Sequence, residues 1–126
     1  MNAVDEYRTT ALMTAALNGH TEVVKVLLDS GTDVNAANKD GWTALMTAAR
    51  EGHADVVNLL LEQGAEVNTA DEYGNTLLLW AAIGGHADVV NLLLEQGAVV
   101  NTVNNDGNTA LMFAAEYGHS EVVKIL

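Results

Sequence analysis

Cysteine is absent from the 126-residue chain, which excludes disulfides, thiolate nucleophiles and cysteine-held zinc. Basic residues are scarce. Five Lys and Arg stand against 17 Asp and Glu, a formal net charge of −12 at pH 7. A surface this acidic repels phosphate backbones and anionic lipid, so neither nucleic acid nor a membrane surface is an expected partner. No apolar run approaches the roughly 18 residues that span a bilayer. The opening Met1-Asn-Ala-Val-Asp-Glu-Tyr-Arg8 lacks the apolar core of a signal peptide, so a cytoplasmic location is the default expectation. Apolar material is plentiful by contrast. Hydrophobic residues make up 49% of the chain and charged residues 17%, enough for a core and against disorder. The length fits a single domain over residues 1–126.

Self-similarity dominates the rest. Thr10-Ala-Leu-Met-Thr-Ala-Ala-Leu-Asn-Gly-His20 returns as Thr43-Ala-Leu-Met-Thr-Ala-Ala-Arg-Glu-Gly-His53. Further copies are Thr76-Leu-Leu-Leu-Trp-Ala-Ala-Ile-Gly-Gly-His86 and Thr109-Ala-Leu-Met-Phe-Ala-Ala-Glu-Tyr-Gly-His119, each a step of 33 residues on. Within a unit the chemistry predicts helix, turn, helix and finger. Each Thr is a helix N-cap. The Ala-Ala pairs let neighbouring helices approach, and Gly19, Gly52, Gly85 and Gly118 end the first helix. A second helix is predicted over 21–29, with counterparts starting at Ala54, Ala87 and Ser120 and an apolar stripe typified by Val23, Val24, Leu27 and Leu28. Asp40-Gly41, Tyr73-Gly74 and Asp106-Gly107 predict short β-hairpin fingers.

With those residues in place, the chain resembles the ankyrin repeat family. The resemblance rests on Asp71-x-x-Gly74-x-Thr76, the Ala-Ala-x-x-Gly-His segment, the Val-Val-x-x-Leu-Leu helix and Gly64-Ala-x-Val-Asn68. It implies an all-α repeat solenoid, a stack of helix-turn-helix units with hairpin fingers, over about residues 5–37, 38–70, 71–103 and 104–126. Fingers and first helices would form a concave face and second helices a convex one. The family's usual Thr-Pro-Leu-His is replaced by Thr-Ala-Leu-Met or Thr-Leu-Leu-Leu in this proline-free chain. An apolar ladder of Met13, Met46, Leu79 and Met112 is therefore expected in place of the family's histidine contacts. Arg8 stands where later units have Gly41, Gly74 and Gly107, so the leading finger is expected to be incomplete. Val122, Val123, Ile125 and Leu126 read as an interior helix rather than a polar cap.

Catalytic and metal chemistry find little support. His20, His53, His86 and His119 share one repeat position, too far apart to hold a common ion, and are read as structural. Glu62 and Glu95, and likewise Asp55 and Asp88, are framework copies on exposed helix positions, and no nucleophile set or phosphate-binding loop is present. Asp33-x-Asn35 and Asn104-Asn105-Asp106-Gly107 offer oxygen ligands, but turn chemistry accounts for them and the twelve-position calcium loop is missing. No enzyme activity, cofactor or metal is expected.

The informative residues are those that vary between otherwise identical units. They place a protein-binding face at Tyr7, Lys39, Asp40, Trp42, Arg50, Glu51, Glu72, Tyr73, Asn75, Ile83, Asn105, Asn108, Glu116 and Tyr117. The match of these positions to the family's contact positions implies that same role. Tyr7, Trp42, Tyr73 and Tyr117 supply four of the chain's six aromatic residues, a composition typical of interface hot spots. A sharper variant is a Trp42, Tyr73 and Glu72 cage for a methylated lysine. The expected partner is a protein, and the acidity favours a basic one. The rival reading is a structural scaffold, a natural fragment or a consensus-based construction. It would form homo-oligomers through its open ends or through an apolar patch around Leu77, Leu79, Trp80 and Ile83 in the third unit.

Overall fold

The structure, a computed structural model, describes residues 4–5 and 9–126. Tyr7 and the Arg8 substitution therefore lie outside the described residues. Eight helices follow one another among the described residues: α1 (Ala11–Leu17), α2 (Thr21–Asp29), α3 (Ala44–Glu51), α4 (Ala54–Glu62), α5 (Leu77–Gly84), α6 (Ala87–Glu95), α7 (Ala110–Glu116) and α8 (Ser120–Ile125). Successive helices pair, and the pairs stack. The odd-numbered helices form one row and the even-numbered helices a second, parallel row.

Local chemistry sets these boundaries. The hydroxyls of Thr10, Thr43, Thr76 and Thr109 accept from the backbone N–H of the residue three positions on, at 3.2–3.3 Å. Each such cap satisfies one orphan donor and stabilises its helix by about 1 kcal/mol. Even-numbered helices have no side-chain cap. Carboxylates in their first turns (Glu22, Asp55, Asp88 and Glu121) complement the helix dipole instead. Gly52 takes φ +79° as α3 ends, and His53 N–H then reaches the Ala48 carbonyl at 3.0 Å. A left-handed residue there costs least as glycine, because no Cβ meets the following carbonyl.

The core is a set of ladders running along the stack. Leu12, Leu45 and Leu78 form one rung series, Met13, Met46 and Leu79 a second, and Val24, Val57 and Val90 a third; all are buried. The expected apolar ladder is thus present through three units. In the fourth, Met112 is exposed.

In the third unit Leu77, Leu78 and Leu79 are fully buried while Trp80 and Ile83 are half-buried, so the aliphatic part of the enlarged first helix fills the core. Exposed apolar groups in that unit are Val99, Val100 and Val103, beyond the second helix.

The fingers are also simpler than predicted. No strands form among the described residues; single antiparallel bridges join Ala37 to Thr43 and Ala70 to Thr76. The reason lies in the side chains at the stems. Asn38 Oδ1 accepts from the N–H groups of Asp40 and Trp42, and Asn38 N–H donates to the Trp42 carbonyl. Side-chain turn bonds of this kind take the place of ladder bonds. At the leading finger, Asp5 N–H donates to the Thr9 carbonyl while Asp5 Oδ1 accepts from Thr9 N–H. This pair of bonds is the same as that between Asp71 and Asn75 in the third unit.

Candidate protein-binding face

Finger tips and the ends of the odd-numbered helices meet on one side of the stack. Between the first and second units they enclose an open groove of about 260 Å³. Its walls come from Met13, Thr14 and Leu17 on one side and Asn38, Asp40, Trp42, Thr47 and Arg50 on the other.

Trp42 is the centre of this face. It is half-buried at the finger stem, held by the bond from its N–H to Asn38 Oδ1. Its indole meets that of Trp80, with ring centroids 5.2 Å apart and planes at 59°. The Arg50 guanidinium lies 4.8 Å from the Trp42 ring centroid, a cation–π contact. Arg50 Nε also donates to Glu51 Oε2 at 3.0 Å, an exposed pair worth little by itself but sufficient to orient the guanidinium. The ring beside Trp42 is therefore Trp80, not Tyr73, and the cation over it is the chain's own Arg50. That arrangement replaces the Trp42, Tyr73 and Glu72 cage expected from sequence.

Trp80 is tied down in turn. Its Nε1–H donates to Asp71 Oδ2 at 3.0 Å, while Asp71 Oδ1 accepts from the N–H groups of Tyr73 and Asn75. One buried carboxylate thus shapes the third unit's finger and fixes the indole behind Trp42. Asn38 and Asn104 occupy the equivalent finger positions, where their Oδ1 atoms supply the same turn bonds but accept from no indole N–H.

Tyr73 projects from the tip of that same finger and is exposed. The charge of the Glu72 carboxylate, then a hydrogen bond to it, raises the phenol pKa above its usual 10.0; slight burial and the charges of Asp71 and Asp40 add to this. The phenol therefore remains a neutral donor throughout the physiological range.

The predicted residues divide into two groups. Lys39, Asp40, Glu51, Glu72, Tyr73, Glu116 and Tyr117 are exposed, and Trp42, Arg50 and Ile83 are half-buried. Asn75, Asn105 and Asn108 are occupied with joining and shaping fingers. Asn105 N–H donates to the Tyr73 carbonyl and its amide to the Glu72 carbonyl, Asn104 donates to Asn75 Oδ1, and Asn108 N–H donates to Asn104 Oδ1. Tyr117 stacks on Phe113, 6.4 Å between centroids, away from the Trp42 groove. Sequence reasoning left Trp80, Thr14 and Thr47 out of the face. The signal for them was helical spacing: Trp80 precedes Ile83, and Thr47 precedes Arg50, by three residues, which puts each pair on one side of its helix.

Asp33 Oδ1 accepts from Asn35 N–H, and Asn104 Oδ1 accepts from Asp106 N–H, so the oxygens considered for calcium serve turns. No described helix is long and apolar enough to cross a membrane.

The chain matches the family described as Ankyrin repeats (3 copies) over residues 1–71 and 69–126, and it belongs to that family. Ankyrin repeats are in general non-catalytic protein–protein interaction modules. No curated protein matches the chain.

Proposed function

We propose that this chain binds a protein partner through the finger and first-helix face, without catalysis or cofactor, and that Trp42, Arg50 and Tyr73 carry the contact. The observation behind this reading is the groove beside Trp42, where an indole, a guanidinium and the Asp40 carboxylate converge within about 260 Å³. An aromatic anchor held rigid by Trp80 and Asp71 loses little entropy on binding. The surroundings are acidic, with Asp40, Glu51 and Glu72 exposed around it on a chain of net charge −12. A partner segment with basic residues flanking an apolar side chain satisfies both features.

Panning a displayed library of short peptides against the intact chain tests the reading. Basic, apolar-centred peptides are expected to be enriched. Their affinity should fall with added salt and should be lost in the Trp42→Ala, Tyr73→Ala double variant while helical content by circular dichroism is unchanged. Peptides that bind the double variant as tightly as the parent would move the site off this face.

A further inference from the structure

Arg50 is held at both ends of its residue. The guanidinium lies 4.8 Å from the Trp42 ring centroid, and Nε donates to Glu51 Oε2 at 3.0 Å. Its backbone carbonyl lies 2.9 Å from His86 Nε2. A carbonyl oxygen only accepts, so Nε2 carries the proton. This junction contact recurs from His53 to the Leu17 carbonyl and from His119 to the Ile83 carbonyl, each imidazole lying over a glycine of the preceding unit. Only in the second unit does it fix an arginine. The residues at this repeat position elsewhere are Leu17, Ile83 and Glu116.

These restraints leave the far edge of the side chain unused. A guanidinium carries N–H donors on every nitrogen, and only Nε–H is committed here. The terminal nitrogens of Arg50 donate to no acceptor among the described residues. Asp40 lines the same groove, yet among the described residues no ion pair joins it to Arg50. Asn38 lines it too. Its Oδ1 is committed to the N–H groups of Asp40 and Trp42, so its amide nitrogen is a further donor without a described acceptor. An arginine held over an indole, with Nε committed and the fork open, matches the paired oxygens of a carboxylate. Much of the rotamer freedom that a loose arginine would lose on binding is already gone.

We infer that the partner segment carries an acidic side chain whose carboxylate pairs with the terminal nitrogens of Arg50, in the groove beside Trp42. The inference rests on the proposed binding role of this face. It adds a charge pattern: an acidic residue on the Arg50 side of the apolar anchor and a basic residue on the Asp40 side. A carboxylate suits the site better than a phosphate group. Phosphate recognition draws on clustered arginines, whereas one guanidinium stands here among Asp40 and Glu51, which repel a dianion more than a single charge.

Panning displayed peptides against the intact chain and its Arg50 variants, followed by titration of the selected peptides, tests this. Peptides selected by the parent are expected to share an Asp or Glu at a fixed spacing from the apolar residue. Replacing that acid by its amide should weaken binding to the parent about tenfold or more, as for a charged hydrogen-bonded pair. The same replacement should weaken binding to Arg50→Gln by no more than about twofold. Arg50→Glu should select Lys or Arg at that place. Arg50→Lys keeps the charge without the fork and should bind the acidic peptides more weakly than the parent. Leucine, isoleucine and glutamate occupy the equivalent positions in the other units, so each variant is expected to keep the parent's circular dichroism. Apolar-centred peptides that need Trp42 and Tyr73 but share no acidic position would overturn this inference alone. So would an acidic position whose amide replacement costs as much with Arg50→Gln as with the parent. No enrichment, or peptides indifferent to the Trp42→Ala, Tyr73→Ala double variant, would overturn the binding role of the face and this inference with it.

Discussion

Thr32 is 8% exposed, and its hydroxyl is buried with no hydrogen-bond partner. The second and third units have Ala65 and Ala98 at this position, and all three residues donate their N–H to the same kind of leucine carbonyl in the helix before. The hydroxyl therefore adds desolvation cost without adding a bond. Thr32→Ala is expected to raise stability by about 1 kcal/mol, read as a shift in the urea midpoint at unchanged slope. Asp71 is the opposite case, a buried carboxylate with every acceptor bond used productively. Asp71→Asn keeps the turn, as Asn38 and Asn104 show, but loses the charged acceptor for Trp80 Nε1–H. It is expected to cost about 1–2 kcal/mol. A double-mutant cycle with Trp80→Phe should recover most of that as coupling. Sequence showed Asp71 as part of a repeat motif, yet its second role was invisible there. The bond depends on a tryptophan nine residues away that the other units do not have.

The helices were legible because each carries its own punctuation. Threonine caps, left-handed glycines and an apolar stripe at helical spacing are all local, and the second helices begin at the residues expected. Fingers were read less well, since a turn dipeptide predicts a reversal but not whether paired strands follow it. At this scale the histidine junction is the element that can be weighed directly. His86→Ala removes the ring between Gly52 and Gly84 and leaves the Arg50 carbonyl without its donor. The expected loss is about 1–3 kcal/mol by chemical denaturation. His20→Ala, at the equivalent but exposed position, is expected to change the stability of dilute chain by no more than about 0.5 kcal/mol. Equal losses at the two positions would show that the ring acts within its own unit and not across the junction.

Across the whole molecule, stability in a stack is the sum of each unit and its junctions with neighbours. The middle helices α3 to α6 have a neighbour on both sides; α1, α2, α7 and α8 have one. Amide hydrogen exchange in dilute solution is therefore expected to be slowest in α3 to α6 and faster in the outer pairs by at least about tenfold. Uniform protection across all eight helices would mean that the stack opens only as a single unit.

The 33-residue repeat, the capping threonines and the ten repeat-linked glycines determine the architecture from the sequence alone, because the forces they exploit act within a few residues along the chain. Tertiary structure decided what the variable residues do. It set Trp80 and Arg50 against Trp42, committed three asparagines to joining and shaping fingers, and put His53, His86 and His119 each over the glycine of the preceding unit. Those contacts link residues four to thirty-eight positions apart by distances and angles in space, and only the stacked chain brings them together.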